Sequence, residues 1–142
     1  MLARRELSEQ QVRQRLARKA HDPQDIDDAV ERLRSERALD DARVAEAIAR
    51  TEVAVRKRGK LRVQMQIERA GIARTTARRA VDETFEGIDD AALLQASLAK
   101  RLRGRQTIED DRELERLYRY LVSQGFEPDR VLEALRKITA RP

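Results

Sequence analysis

The sequence predicts an all-α protein made of three tandem three-helix repeats. Strong helix formers dominate the 142 residues, and there are only 5 glycines and 3 prolines. Five small or apolar positions also recur in three copies, with no gap inside the matched stretch. The equivalent positions are Leu16, Ile67 and Leu121; Ala20, Gly71 and Gly125; Ile26, Ala77 and Val131; Ala29, Ala80 and Ala134; and Val30, Val81 and Leu135. A repeat of roughly 50 residues is typical of helical arrays, whose units bury an apolar stripe and leave a long solvated surface.

Capping residues predict where the helices begin. Ser8, with Gln11 three residues later, has the pattern of a capping box, and Asp22 precedes Pro23, which suits the first helical position. Pairs of aspartates cap the opening helices of the second and third units in the same way. We expect the opening helix of the first unit to be much shorter than those of the other two. Either the N-terminal segment is short, or part of it is missing. We place the repeats at residues 1–37, 38–86 and 87–142.

Glycines and an insertion distinguish the three copies. The opening helix of the second unit is predicted to run to about Arg58, where Gly59 breaks it. Gly71 and Gly125 each follow a middle helix, in the position that favours a left-handed residue. The third unit carries about five extra residues, around 103–107, between its first two helices.

Composition excludes several classes of protein. The chain has no cysteine, so it has neither disulfides nor a thiolate zinc site. No apolar run approaches the length of a membrane span, and the N-terminus has no signal-peptide core. We expect a cytoplasmic, monomeric protein without a membrane anchor or a cofactor.

Catalytic residues are not evident. The single histidine, His21, aligns with Ile72 and Phe126 in the other copies, so we expect it in a half-buried loop. The five glycines are scattered at turns and form no phosphate-binding loop. The aspartate pairs at 40–41 and 89–90 are better explained as helix caps than as metal ligands, because adjacent helical residues point to different faces. We therefore predict no enzymatic activity.

Charge indicates an anionic partner. The net charge is +5 and the isoelectric point is near 10.1, but 26 acids oppose the 31 basic residues, and both kinds segregate into patches. Basic runs at residues 50–62 and 100–105 and at the N-terminus are the best candidates for contacts with phosphates. The alternatives are a solvated helix face and intramolecular ion pairs. The candidate contact residues are Arg4, Arg5, Arg50, Arg56, Lys57, Arg58, Lys60, Arg62, Lys100, Arg101, Arg103 and Arg105.

Aromatic residues make up only 3% of the chain, too few for a platform on which single-stranded bases stack. Tyr118 lies on an apolar stripe and is predicted to be in the core. Phe126 is predicted to pack as Ile72 does. Tyr120 lies off the stripe, where it could make an exposed contact.

Three ordered motifs resemble the signatures of the RecX regulators of the RecA recombinase. They are residues 2–12 (LARRELSEQQV), residues 39–45 (LDDARVA), and residues 56–60 (RKRGK) through to Gly71-Ile72. The resemblance spans nearly the whole chain and implies a curved, elongated, solenoid-like array of three helical repeats. It also implies binding to the filament of RecA on single-stranded DNA, with suppression of the recombinase, ATPase and co-protease activities in DNA repair. Double-stranded DNA is a further candidate partner.

One departure from the family pattern is clear: this chain has Ala20-His21 where the family usually has glycine and then an apolar residue. The family has no catalytic motif, so the resemblance transfers no active site. Two other functions stay open on the sequence, namely a helical module that binds nucleic acid without sequence preference and a helical protein–protein adaptor.

Overall fold

Eight helices make up the part of the chain that this computed structural model describes, residues 6–139 without the side chain of Thr139. The helices are α1 (Glu9–Arg18), α2 (Pro23–Ser35), α3 (Asp41–Ala54), α4 (Lys60–Arg69), α5 (Arg74–Phe85), α6 (Asp90–Leu102), α7 (Asp111–Ser123) and α8 (Pro128–Thr139). No strand occurs within residues 6–139. The prediction of an all-α repeat fold is confirmed, whereas the candidate residues Arg4 and Arg5 lie outside the described range.

The helices pack in three groups. Helix α1 packs on α2, α3 packs with α4 and α5, and α6 packs with α7 and α8. The second and third groups share one apolar core, in which Ile67, Leu98 and Leu121 are almost fully buried. A separate small core under α1 and α2 is built around Ile26 and Val30. The first unit is therefore held by less buried apolar surface than the other two, and by correspondingly less hydrophobic stabilisation.

Three of the predicted caps form hydrogen bonds, whereas Asp22 precedes Pro23 at the start of α2 without a side-chain cap bond. Ser8 accepts a hydrogen bond from the backbone N–H of Gln11, whose side chain accepts one from the Ser8 N–H, so the capping box is complete. Asp40 caps α3 and Asp89 caps α6 through their side chains. These bonds satisfy backbone N–H groups that the first helical turn leaves without partners. The aspartate pairs thus begin helices, as their spacing predicts.

The end of α3 differs from the prediction. The helix stops at Ala54 rather than near Arg58. Lys57 has a φ of +54°, and the N–H of Arg58 turns back to the carbonyl of Glu52, at 3.1 Å. The chain therefore reverses before Gly59, and that glycine becomes the N-cap of α4 instead of the residue that breaks α3.

The first and second units meet where α1 begins and α4 ends. The fully buried hydroxyl of Ser8 donates a hydrogen bond to the carbonyl of Ala70. The next residue, Gly71, has a φ of +85°, and a Cβ there would overlap the side chain of Gln10. Only glycine fits this turn without strain, because the site combines a left-handed backbone with a close neighbour.

The second and third units meet through the equivalent residues. The N–H of Gly59 donates to the carbonyl of Gln124 at 2.7 Å, and the N–H of Leu61 donates to that of Gly125 at 3.2 Å. A Cβ on Gly59 would lie 2.6 Å from the Gly125 oxygen, and Gly125 has a φ of +97°. The start of one middle helix thus packs on the glycine turn that ends the middle helix of the next unit. We call this contact a joint; it occurs between α1 and the turn after α4, and between α4 and the turn after α7.

The same geometry explains the departure at Ala20. Its φ is +63°, so the backbone is left-handed as at the equivalent Gly71 and Gly125. Its side chain is exposed, so within the described residues there is room for the Cβ of alanine. The expectation of a half-buried His21 is wrong, because His21 is exposed. Its equivalents Ile72 and Phe126 are buried at the two joints, whereas no joint in the described chain covers the turn after α1.

Candidate nucleic-acid interface

The basic clusters of the second and third units lie side by side. The Nζ of Lys100, near the end of α6, is 3.5 Å from the carbonyl oxygen of Val55, the C-cap residue of α3. Arg56 and Lys57 follow Val55 directly, and Arg101 follows Lys100. Two clusters that are far apart in sequence are therefore brought together at one point, where two opening helices end. Cations there also oppose the negative ends of the helix dipoles.

We call this surface the basic ridge. Its members are exposed, except for the half-buried Lys57. They are Arg50, Arg56, Lys57, Lys100, Arg101 and Arg103. Long cationic side chains at an exposed edge can reach phosphate oxygens while their aliphatic stems stay on the protein surface.

A buried carboxylate organises the α3 end of the ridge. Glu52 is only 5% exposed, and its two oxygens bind the Arg58 Nη1 at 2.7 Å and the Arg56 Nε at 3.4 Å. Arg58 is only 9% exposed, so we do not include it in the candidate surface. Glu52 is a structural residue that the basic pattern of the sequence does not predict. The available signal was that Glu52 is the only acid among residues 50–62, six residues before Arg58.

Arg62 makes a contact between two units. Its Nη1 donates to the carbonyl of Ser123 at 3.2 Å, across the joint between the second and third units. Burial lowers the pKa of Arg62, and the nearby charge of Arg58 lowers it further. Its Nε has no hydrogen-bond partner in the described chain. Arg62 is half-buried and holds two units together, so we remove it from the candidate surface.

Arg105 is held by an intramolecular pair. Its two terminal nitrogens bind the carboxylate of Glu113 at 3.1 and 2.7 Å, and Glu109 lies 3.8 Å away. The Arg105 guanidinium lowers the pKa of Glu113, with help from the backbone N–H of Glu109, and the pair raises the pKa of Arg105. The insertion before α7 therefore folds back on the helix, and Arg105 is less available to phosphates than the sequence suggests.

Two further predictions change because of ring contacts. The Arg101 guanidinium lies 4.6 Å from the centre of the Tyr120 ring. That half-buried ring packs against the main core, so the structure does not favour the exposed contact that the sequence left open for Tyr120. Lys60 lies 5.7 Å from the centre of the Phe85 ring. Its neighbours there include Asp82, Glu83 and Glu86. Because carboxylates repel phosphates, we leave Lys60 out of the basic ridge.

Residues 6–139 contain no group of three or more histidines and carboxylates that could hold a metal ion. None of the helices in this range is both long enough and apolar enough to cross a membrane. The arrangement that stands out chemically is thus the ridge of cations, which can bind anions electrostatically.

Comparisons with known proteins give one consistent result. A family model described as "RecX, first three-helix domain" matches residues 1–33. The Regulatory protein RecX of Halorhodospira halophila is 33% identical over 135 residues, covering 94% of this chain and 81% of the relative. That of Chromohalobacter salexigens is 33% identical over 137 residues, covering 95% of this chain and 86% of the relative.

A solved structure is similar in fold. The crystal structure of RecX from Lactobacillus salivarius superposes with a TM-score of 0.68, covering 93% of this chain and 87% of that one. At 18% sequence identity, this likeness shows the fold alone.

Proposed function

We propose, from the premise that this chain belongs to the RecX family of regulatory proteins, that it binds the RecA–single-stranded DNA filament and inhibits RecA. The inhibited activities would be the recombinase, the ATPase and the co-protease role. The observation that carries the proposal is the basic ridge, where clusters from two repeats adjoin between Val55 and Lys100. Exposed cations from two repeats that adjoin at this point suit a backbone whose phosphates are regularly spaced.

The ridge contacts DNA without reading its sequence. Arg50, Lys100 and Arg103 are exposed, so their charges can approach phosphates from solvent. Tyr118, Tyr120, Phe85 and Phe126 are all buried or half-buried, so the described chain exposes no aromatic face on which bases could stack. Phosphate contacts fix position and orientation but carry no sequence information directly.

The filament is a better partner for this surface than bare DNA. The chain carries 26 acids beside its 31 basic residues, and exposed acids on α2, such as Asp25 and Asp28, would repel a simple polyanion. A filament presents protein and DNA together, so a weak contact with each gives strong binding to both.

The test is a titration of the DNA-dependent ATPase of RecA with the purified protein. The proposal predicts inhibition that rises to a plateau as the protein saturates the filament. An unchanged ATPase rate at stoichiometric excess would contradict it.

The basic ridge also favours a second candidate, a module that binds nucleic acid without sequence preference and without RecA. That function predicts tight binding to bare single-stranded DNA, with log affinity falling against log salt by about 0.7 per phosphate contacted. Feeble binding to bare DNA beside strong binding to the filament would exclude it. The third possibility, a pure protein adaptor, predicts that loss of the ridge charges leaves filament binding intact.

A further inference from the structure

Helix α4 exposes two large apolar side chains on its outer face. Leu61 is 57% exposed and Met65 is 43% exposed, one helical turn apart. Residues four apart on a helix are neighbours on one face, so the pair forms a single apolar patch. The core clusters do not include either side chain, so the fold does not require them to be apolar.

The other two repeats provide an internal comparison. At the positions equivalent to Leu61 and Met65, the first repeat has Gln10 and Gln14. The third repeat has Glu115 and Arg119 at these positions. The same outer face is therefore polar in two copies and apolar only in the central one. Because neither side chain belongs to a core cluster, packing within the repeat does not account for the apolar pair.

The patch lies in a shallow, open depression with one positive edge. The depression has a volume of about 440 Å³ and is lined by Leu61, Gln64, Met65, Glu68 and Arg69. Its one acid, Glu68, lies 3.5 Å from the Nε of Arg74 and is thereby compensated. Arg69 is exposed at the far end, and Lys60 precedes Leu61 at the near end.

The apolar strip continues beyond α4. Leu61 also borders a cleft of about 450 Å³ between the start of α4 and the third unit. The apolar lining of that cleft includes Leu94, Phe126 and Ala134. Its charged lining has both signs: Lys60, Arg130 and Lys137 beside Asp90, Glu127 and Glu133. A partner segment that covers Met65 and Leu61 can thus extend onto the third unit.

We propose that the outer face of α4, centred on Leu61 and Met65, is the surface on which this protein docks onto the protein component of the filament. The complementary surface is an apolar segment with a carboxylate at the end that meets Arg69. DNA is a poor occupant, because its exposed phosphates gain nothing from apolar side chains. A second copy is also disfavoured, because a symmetric contact through this face would bring the exposed Arg69 of both copies into one interface.

This inference rests on the proposed function and adds a division of labour to it. The basic ridge meets phosphates, and the α4 face meets protein. Two contacts of different chemistry explain how a protein with many acids can prefer the filament to bare DNA.

The experiment compares the double variant Leu61→Gln/Met65→Gln with the native protein. These are the residues that the first repeat already carries at the equivalent positions. Because the side chains are exposed, the helix should be retained, which circular dichroism checks. Co-sedimentation with RecA filaments and fluorescence anisotropy with a bare single-stranded oligonucleotide are measured on both proteins. The matched control is Glu115→Gln/Arg119→Gln, at the same positions of the third repeat.

The proposal predicts that filament affinity falls by about tenfold or more, as expected when two central apolar anchors are lost. Bare-DNA affinity and the control variant should stay as in the native protein. Equal filament binding by the Leu61→Gln/Met65→Gln variant would overturn the proposal, as would a parallel loss of filament and bare-DNA binding. A native dimer that this variant converts to monomer would identify a second copy as the occupant and overturn it too. Failure of the native protein to co-sediment would instead overturn the proposed function itself.

Discussion

Glu52 and Arg58 form a buried ion pair, with 2.7 Å between Oε1 and Nη1, at the turn that connects α3 to α4. The pair holds the turn that presents Arg56 and Lys57 to solvent, so it positions the basic ridge without belonging to it. A buried charge is costly when its partner is lost, because no water replaces the missing contact. The turn and the ridge therefore depend on one carboxylate.

Glu52→Gln is predicted to destabilise the fold by about 3 kcal/mol, because it leaves Arg58 buried without its counter-ion. Urea denaturation of both proteins measures the change in the free energy of unfolding. The double variant Glu52→Gln/Arg58→Met should be less destabilised than the single one, since it removes both charges. A single variant as stable as the native protein would show that the pair is not structural.

Gly125→Ala is predicted to destabilise the fold by about 3 kcal/mol, because it combines backbone strain with overlap at the joint. The φ of +97° disfavours any side chain, and a Cβ there would overlap the backbone nitrogen of Arg62. Gly87→Ala is the matched control, since a Cβ there meets nothing within 4 Å. Thermal denaturation should separate the two variants clearly. Equal melting temperatures would contradict the close joint between the second and third units.

Ala20→Gly is predicted to stabilise the fold by about 1 kcal/mol. Alanine is strained at a φ of +63°, and glycine is not. Ala17→Gly, at an exposed position inside α1, should have the opposite effect by a similar amount, because glycine weakens a helix interior. Denaturant midpoints of the two variants test the sign. A loss of stability in Ala20→Gly would mean that its side chain makes a contact worth more than the strain.

Stability should fall in acid partly through Glu113. Its pKa in the folded state is lowered, first by Arg105, from the ordinary value of 4.5. A depressed carboxyl pKa gives stability that is complete above the unfolded value and is lost as pH falls through the folded value. The melting temperature of Glu113→Gln should therefore depend less on pH below 4.5 than that of the native protein. Identical pH profiles would show that the Glu113–Arg105 pair does not contribute to the loss of stability in acid.

The sequence predicts much of the fold because its signals are local. Ser8 with Gln11 and the aspartates at 40 and 89 cap the first turn of their own helices, so short-range chemistry decides the outcome. The glycines at 71 and 125 lie at turns, as predicted. Glycine is required there because the first turn of a helix from the preceding unit packs against each of them. That close approach is visible only when the repeats are placed beside one another.

The site is less predictable, because charge in a sequence does not say which cations are already paired. Arg58 and Arg62 look like Arg56 and Lys100 in the sequence, yet Arg58 binds a buried acid and Arg62 spans a joint. Leu61 and Met65 could have been found from the repeat itself, since the equivalent positions in the other copies are polar. Such a comparison needs the register of the helices as well as the composition.

The central claim is that the basic ridge couples this protein to the RecA filament. The most direct test compares two triple neutralisations that lose the same charge. Arg50→Gln/Arg56→Gln/Lys100→Gln removes ridge cations, and Arg78→Gln/Arg79→Gln/Arg116→Gln removes exposed cations outside the ridge. The measurement is inhibition of the DNA-dependent ATPase of RecA. We expect the control variant to inhibit as the native protein does and the ridge variant to require roughly tenfold more protein. Equal inhibition by the two triple variants would contradict the claim.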